Sequence, residues 1–238
     1  MKKLLQILLL SLGLIGCASL ESLDSIEFSA SPAEAETKKI LALGLTHTEN
    51  LSEARKLTDP TLVSAVVQEL NTRNDNARIE AEKVAKYAEK VKVSDSNSDN
   101  QIKFTGSEIS KSKKRGILLD NYDFQDYFLR GWKDKSNGLI QHQLYLSVKY
   151  TSDNWRNYFS ASFSNGSQVD ITLIKRGTDS CSASTCDYTE IMELNLSDDL
   201  LRSNMEKGFS ISFNSKSSVT NKITIPSDYI KGYLKVAK

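Results

Sequence analysis

Histidine, on which active sites often rest, is scarce in this chain. Its 238 residues include 2 histidines, His47 and His142, far apart in sequence. So thin a supply excludes a histidine metal constellation. No G-x-S-x-G elbow accompanies either one, so nothing local marks a serine nucleophile; a Ser–His pair assembled in space stays open. Charge of one sign is lacking too. The formal net charge is +1, and no overall field selects nucleic acid or acidic lipid. No internal repeat is present. Composition is that of a folded soluble body, with 39% hydrophobic and 26% charged residues, long enough for one large domain or two small ones.

What is there begins with LLLSLGLIGCASL, residues 8–20. Lys2 and Lys3 form a short positive region, and Leu4 to Ile15 an apolar one. At about 1.5 Å of rise per residue, that run is short for a bilayer core of about 30 Å. It ends Leu14-Ile15-Gly16-Cys17, with an apolar residue three places before the cysteine and a small one immediately before it. This resembles the lipobox of bacterial lipoproteins. The resemblance implies cleavage before Cys17, diacylglyceryl transfer to its thiol and acylation of the new amine. Ala18, rather than Asp, follows the cysteine, which by the same analogy implies the outer membrane, facing the periplasm. Several acyl chains, at about 0.8 kcal/mol per buried CH₂, hold a protein firmly on a membrane.

Of the 3 cysteines, two remain, Cys181 and Cys186, in CSASTC. An oxidising periplasm favours a disulfide between them. The expected role is a staple across a wide hairpin loop, RGTDSCSASTCDY, on the order of 2 kcal/mol of unfolded-state entropy. Redox-active dithiols usually stand closer together at a helix N-terminus, which fits these two poorly.

Along the chain, 1–16 reads as a signal peptide, 17–32 as a tether and 33–93 as helical. Residues 94–116 read as a linker or loop, and 117–238 as a β-rich domain. Asp59-Pro60 is a helix start, followed by an apolar stripe of Leu62, Val63, Val66, Val67 and Leu70. Asn74-Asp75-Asn76 is expected to separate it from a second helix. QIKFTGSEI is a candidate short strand inside the linker range. Period-two patterns in LIQHQLYLSVKYT, YFSASF, QVDITLIKR, TEIMELNL, FSISF and KITI give about six antiparallel strands. Asn165-Gly166 marks a hairpin turn. A short helix capped by Ser197 and ended by Gly208 interrupts the strands, and Tyr229, Ile230, Tyr233, Leu234 and Val236 line a terminal helix. The fold class is therefore α+β: an N-terminal helical segment, then an antiparallel β-sandwich or curved sheet with a C-terminal helix. A closed barrel is the alternative.

The remaining candidates have plain readings beside the functional ones. His142 is placed on the polar alternation of its strand. Ser110 and Lys113 match S-x-x-K formally, but the companion motifs are absent. With Lys111, Lys114 and Arg115 they read as a solvated loop, with contact to lipid phosphate or anionic glycan as the sharper option. Asp120, Asp123 and Asp126 lack the glycine and closing glutamate of an EF-hand. Tyr122, Phe124, Tyr127, Phe128 and Trp132, with Trp155 and Tyr158, are the one hint of a ligand-stacking surface, against an expectation of core packing. The residues that can be named are Cys17 for lipidation and Cys181 with Cys186 for a disulfide. No catalytic residue, metal or cofactor is called for. The expected function is a lipid-anchored cell-envelope protein with a periplasmic binding or scaffolding domain. Its partners are the membrane and an envelope protein or glycan, not nucleic acid. The alternatives are a periplasmic hydrolase with a site drawn from separate strands, and an accessory subunit or inhibitor of an envelope complex.

Overall fold

The computed structural model describes residues 30–95, 98–109 and 124–238. Their elements are α1 (Pro32–Leu41), α2 (His47–Ala54), α3 (Pro60–Glu89), β1 (Lys92–Asp95), β2 (Gln101–Thr105), β3 (Phe124–Asp134), β4 (Ile140–Ser152) and β5 (Tyr158–Phe163). They continue with β6 (Gln168–Val169), β7 (Thr172–Cys181), β8 (Cys186–Leu196), α4 (Asp198–Ser203), β9 (Phe209–Ser215), β10 (Thr220–Ile225) and α5 (Ser227–Val236). The class is α+β, as expected. Two compact units divide between Thr72 and Arg73, inside α3. The division expected at a 94–116 linker therefore falls earlier, and part of that range is sheet. β1 pairs with β2, and β2 with β3, where Phe104 turns into the core opposite Gly131.

The first unit is helical. Ser31 caps α1 by accepting from Glu34 N at 3.1 Å, with Pro32 in the first turn. Thr46 and Glu49 form a capping box at α2. Asp59 accepts from Thr61 N at 2.8 Å to start α3. Ile40, Ala54, Val66 and Leu70 make a small core, with Leu51, Leu57 and Leu62 against it.

The helix does not break at Asn74-Asp75-Asn76. These residues point outward, and Arg78 bridges Asp75 at 3.3 Å and Glu82 at 3.1 Å across the suspected gap. Asn and Asp are weak helix residues, but neither removes a backbone donor as Pro does. No helix among the described residues is long and apolar enough to cross a membrane.

The second unit holds two antiparallel sheets, ordered β1-β2-β3-β4-β8-β7 and β10-β9-β5-β6. Neither is closed, so the barrel alternative falls. Their inner faces share one core: Leu129, Leu144, Leu146, Met192 and Leu194 from the larger sheet meet Ala161, Ile211, Phe213 and Ile223 from the smaller. QVDITLIKR is not one strand. Gln168–Val169 belongs to the smaller sheet and Thr172–Cys181 to the larger, with Asp170 in the crossing between them. β7 forms one edge of the larger sheet and is exposed along nearly all its length. Its pairing with β8 slips twice, at Leu173/Lys175 and at Thr178/Cys181.

α5 closes the core with two tyrosines. Tyr229 Oη accepts from Leu129 N at 3.0 Å and donates to Ser107 O at 2.9 Å. The hydroxyls need room in the sheet, and two glycines provide it. A Cβ on Gly106 would collide with Tyr229 Oη, and one on Gly131 would lie 2.6 Å from Tyr233 Oη. Tyr87, near the end of α3, meets the Tyr229 ring edge-on at 5.2 Å.

Candidate functional site

Cys17, the Ser110–Arg115 cluster, Asp120 and Asp123 lie outside the described residues, as do Tyr122 and the side chain of Phe124. Cys181 and Cys186 are joined, with Sγ atoms 2.03 Å apart. The loop they close is not wide: β7 and β8 run up to the cysteines, which face each other across the ladder, and only Ser182–Thr185 turns at the tip, with Ser182 N donating to Thr185 O at 2.8 Å. His47 Nε2 lies 3.1 Å from Asn71 Oδ1 at the surface of the first unit. Among the described residues, no three His, Cys, Asp or Glu side chains converge as a metal ligand set.

His142 does not sit on the polar side of β4. It shares the inward alternation of Leu144, Leu146 and Val148 and is buried. Its Nε2 lies 3.2 Å from Asp198 Oδ1, and its Nδ1 3.1 Å from Tyr233 Oη. An ionised carboxylate only accepts, so Nε2 carries the proton and Nδ1 accepts from the tyrosine hydroxyl. α4 supplies Asp198 in its first turn and Arg202 one turn later, whose Nε donates to Asp198 Oδ2 at 2.5 Å. Burial pushes the imidazole pKa below its ordinary value, against the pull of Asp198. Arg202 above all holds the Asp198 carboxyl down. The geometry has the parts of an acid–base pair, but the ring is sealed between sheet and helix. Its partners tie α4 and α5 to β4.

A buried carboxylate, Glu190 on β8, is fully engaged. Its Oε1 accepts from Tyr150 Oη at 2.6 Å and from Asn157 N at 3.0 Å, and its Oε2 from Arg176 Nε at 3.3 Å. Tyr150 Oη in turn accepts from Arg156 N at 2.8 Å, and the Arg156 guanidinium lies 4.3 Å from the centre of that ring. Burial, and then Glu190, push the Tyr150 hydroxyl pKa well up. Asn157 stands at φ +54°. The cluster pins the passage by which the chain leaves β4 for the other sheet.

The aromatic residues divide by face. Tyr127 and Tyr158 enter the core as expected. Phe128 and Trp132 do not: with Arg130 they occupy the outer face of β3. Phe128 stacks on Tyr145 with centroids 4.9 Å apart. The Arg130 guanidinium lies 5.0 Å from the Tyr145 ring and 5.1 Å from that of Trp132, and it pairs with Glu193 on β8. The result is a ladder across the sheet's outer face, most of whose ring faces are already used. Trp155 rests on Tyr188 at 4.4 Å.

Among the clefts on the second unit, two are of similar size. One, of about 530 Å³, lies beside Phe128 and Gly106, and Ser107, whose buried Oγ has no hydrogen-bond partner, lines it. The other, of about 560 Å³, is bounded by the β5–β6 turn, the α4–β9 connection and β10. Phe163 and Phe209 form its base, edge to face at 5.8 Å, with Leu200 beside them. Its rim carries Ser164, Asn165, Asn204 and Lys207, and no carboxylate among the described residues. Asn165 Oδ1 is occupied by Ser167 N at 3.0 Å, which leaves its amide donors open. Asn204 gives Nδ2 to Leu200 O at 2.8 Å, which leaves its carbonyl open. Ser210 and Thr224 pair their hydroxyls at 2.8 Å on the wall. Sequence reading found Asn165-Gly166 and Gly208 as punctuation only. The signal that could have pointed further is the phenylalanine beside each, Phe163 and Phe209.

No protein family, curated protein or solved structure matches the chain.

Proposed function

We propose that the chain is a lipid-anchored protein of the cell envelope, held on the outer membrane through Cys17 and facing the periplasm, whose second unit binds a glycan in the Phe163–Phe209 cleft. One observation carries the address. Cys181 and Cys186 are spent on each other, so Cys17 is the remaining cysteine, and it stands at the end of the apolar run in Leu14-Ile15-Gly16-Cys17. A paired thiol also suits an oxidising compartment. Stable anchoring needs more than one acyl chain, which a thioether-linked diacylglyceryl group supplies.

The ligand class follows from the cleft's chemistry. A volume of about 560 Å³ lies within the range of small-molecule sites, which combine an apolar base with a few placed polar groups. Phenylalanine rings offer a surface for sugar C–H groups. Open amide and hydroxyl groups of Asn165, Asn204 and Ser164 match sugar hydroxyls. Lys207, which makes no ion pair among the described residues, adds a preference for a glycan bearing a carboxylate or phosphate.

Cys17→Ala is expected to abolish incorporation of radioactive palmitate, and persistent labelling sinks the anchor. Calorimetric titration with soluble glycan fragments released from bacterial envelopes is expected to show saturable heat. Phe163→Ala should remove it and Lys207→Ala weaken it at least tenfold for charged fragments. Heat that survives Phe163→Ala unchanged moves the ligand elsewhere.

A further inference from the structure

The first unit carries a feature that folding does not account for. Between Lys39 and His47 the chain reads Ile40-Leu41-Ala42-Leu43-Gly44-Leu45-Thr46, without a charge. Ile40 turns inward, but Leu41, Leu43 and Leu45 are 39%, 58% and 38% exposed. The other large apolar side chains exposed among the described residues stand singly or, at Leu173 and Ile174, as a pair, which is ordinary for a protein surface. Three leucines in five residues is not.

The loop is built to hold them out. Leu43 N donates to Ile40 O at 3.1 Å and Gly44 N to Leu41 O at 3.2 Å. Gly44 takes φ +68°, with nothing within 4 Å of where a Cβ would lie. Asn50 Nδ2 donates to Leu45 O at 3.2 Å, and the Thr46–Glu49 box starts the next helix immediately after. Lys38 and Lys39, exposed in the last turn of α1, are paired with Glu34 at 2.9 Å and Glu36 at 2.8 Å, so the loop's border is close to neutral.

We propose that this loop, residues 41–45, is a membrane-contacting tip that rests on the same leaflet as the acyl chains of Cys17. The proposal relies on the anchored reading for its choice of occupant. Residues 18–30 link Cys17 to Ser31, a reach of about 45 Å at full stretch. α1, with 10 residues, is about 15 Å long. A chain fixed at Cys17 therefore has ample length to enter α1 at its far end while Leu41 lies at the bilayer. Leucines fit the acyl boundary, where apolar burial supplies the binding.

The test uses the full-length lipidated protein purified from envelopes, in which Cys17 is blocked and Cys181 and Cys186 are joined. Leu43→Cys then offers one thiol for an environment-sensitive NBD label. Leu139→Cys, at a site 68% exposed between β3 and β4, is the comparison. Each is reconstituted into phosphatidylethanolamine–phosphatidylglycerol vesicles containing spin-labelled acyl chains. The expected result is a blue-shifted emission at position 43, quenched several-fold more by the lipid spin labels than at 139. Equal quenching at the two positions overturns the proposal. So does a label at 43 shielded from both aqueous iodide and the lipid quencher, which places a protein partner or the chain's own residues 18–29 over the loop. A chain that fails to float with the vesicles fails the anchored reading, and the bilayer as occupant goes with it.

Discussion

The hydroxyl of Tyr233 donates to Nδ1 of His142 across 3.1 Å, and this contact joins the C-terminal helix to the central strand of the larger sheet. Because Asp198 holds the other nitrogen, the neutral ring is matched on both sides. Protonation puts a second N–H against a hydroxyl that was donating to it.

Stability should therefore depend on pH in a definite sense. Burial lowers the folded pKa of His142 from its ordinary value of 6.5. Below about pH 6.5 the unfolded chain takes up the proton before the folded one does, so stability is lost as pH falls. Urea midpoints should drop between pH 7 and pH 5 in the parent protein. His142→Asn should start lower and stay flat across that window. Asp198, whose folded pKa is also lowered, adds its own loss only near and below about pH 4. An unchanged slope in His142→Asn rules out this assignment.

Gly131 is tested by size alone. An alanine Cβ would lie 2.6 Å from Tyr233 Oη and 2.7 Å from Gln141 O. Gly131→Ala is expected to cost about 1–3 kcal/mol by overpacking. Tyr233→Phe in the same chain should return part of that and not all, since the backbone oxygen stays. Full additivity of the two changes in thermal melts contradicts the contact.

Glu190 gathers a hydroxyl, a backbone N–H and a guanidinium on one buried carboxylate. Glu190→Ala strands the Tyr150 hydroxyl, the Asn157 N–H and the Arg176 guanidinium, and is expected to cost roughly 3–5 kcal/mol. Glu190→Gln keeps the shape and one acceptor, and should cost less than half as much. The two variants falling together in denaturant titrations shows that packing, not hydrogen bonding, holds the crossing.

Removing the disulfide should act locally. Closing so short a loop is worth about 2 kcal/mol at most, and the bridge sits at the tip of β7 and β8. Cys181→Ala/Cys186→Ala should speed amide exchange at Asp179–Tyr188 and leave Leu144–Val148 unchanged. Faster exchange throughout the core shows that the tip is part of the folding nucleus.

Much of this architecture is legible from residue order. Asp59-Pro60, Ser197, Asn165-Gly166 and the alternation of Met192, Leu194 and Leu196 mark elements that exist. His142 is legible too, because it stands two places before Leu144 and shares its face; polarity alone suggests the wrong side. Val169, Ile171 and Leu173 have one parity, yet Val169 joins the smaller sheet, Leu173 the larger and Ile171 the crossing between them; parity carries no information about which sheet a strand joins. Phe128 and Trp132 are as apolar as core residues, and only the inward position of Tyr127 and Leu129 sends them out. The Phe163–Phe209 cleft needs a contact between segments far apart in the chain, which no local pattern encodes.

The two slips in the β7 ladder reach past this one molecule. A long rim with regular donors and acceptors invites a neighbour to extend it. Here an incoming extended segment finds its match interrupted after a few residues at each irregularity. The rim can stay uncovered at high concentration without zipping copies into fibres.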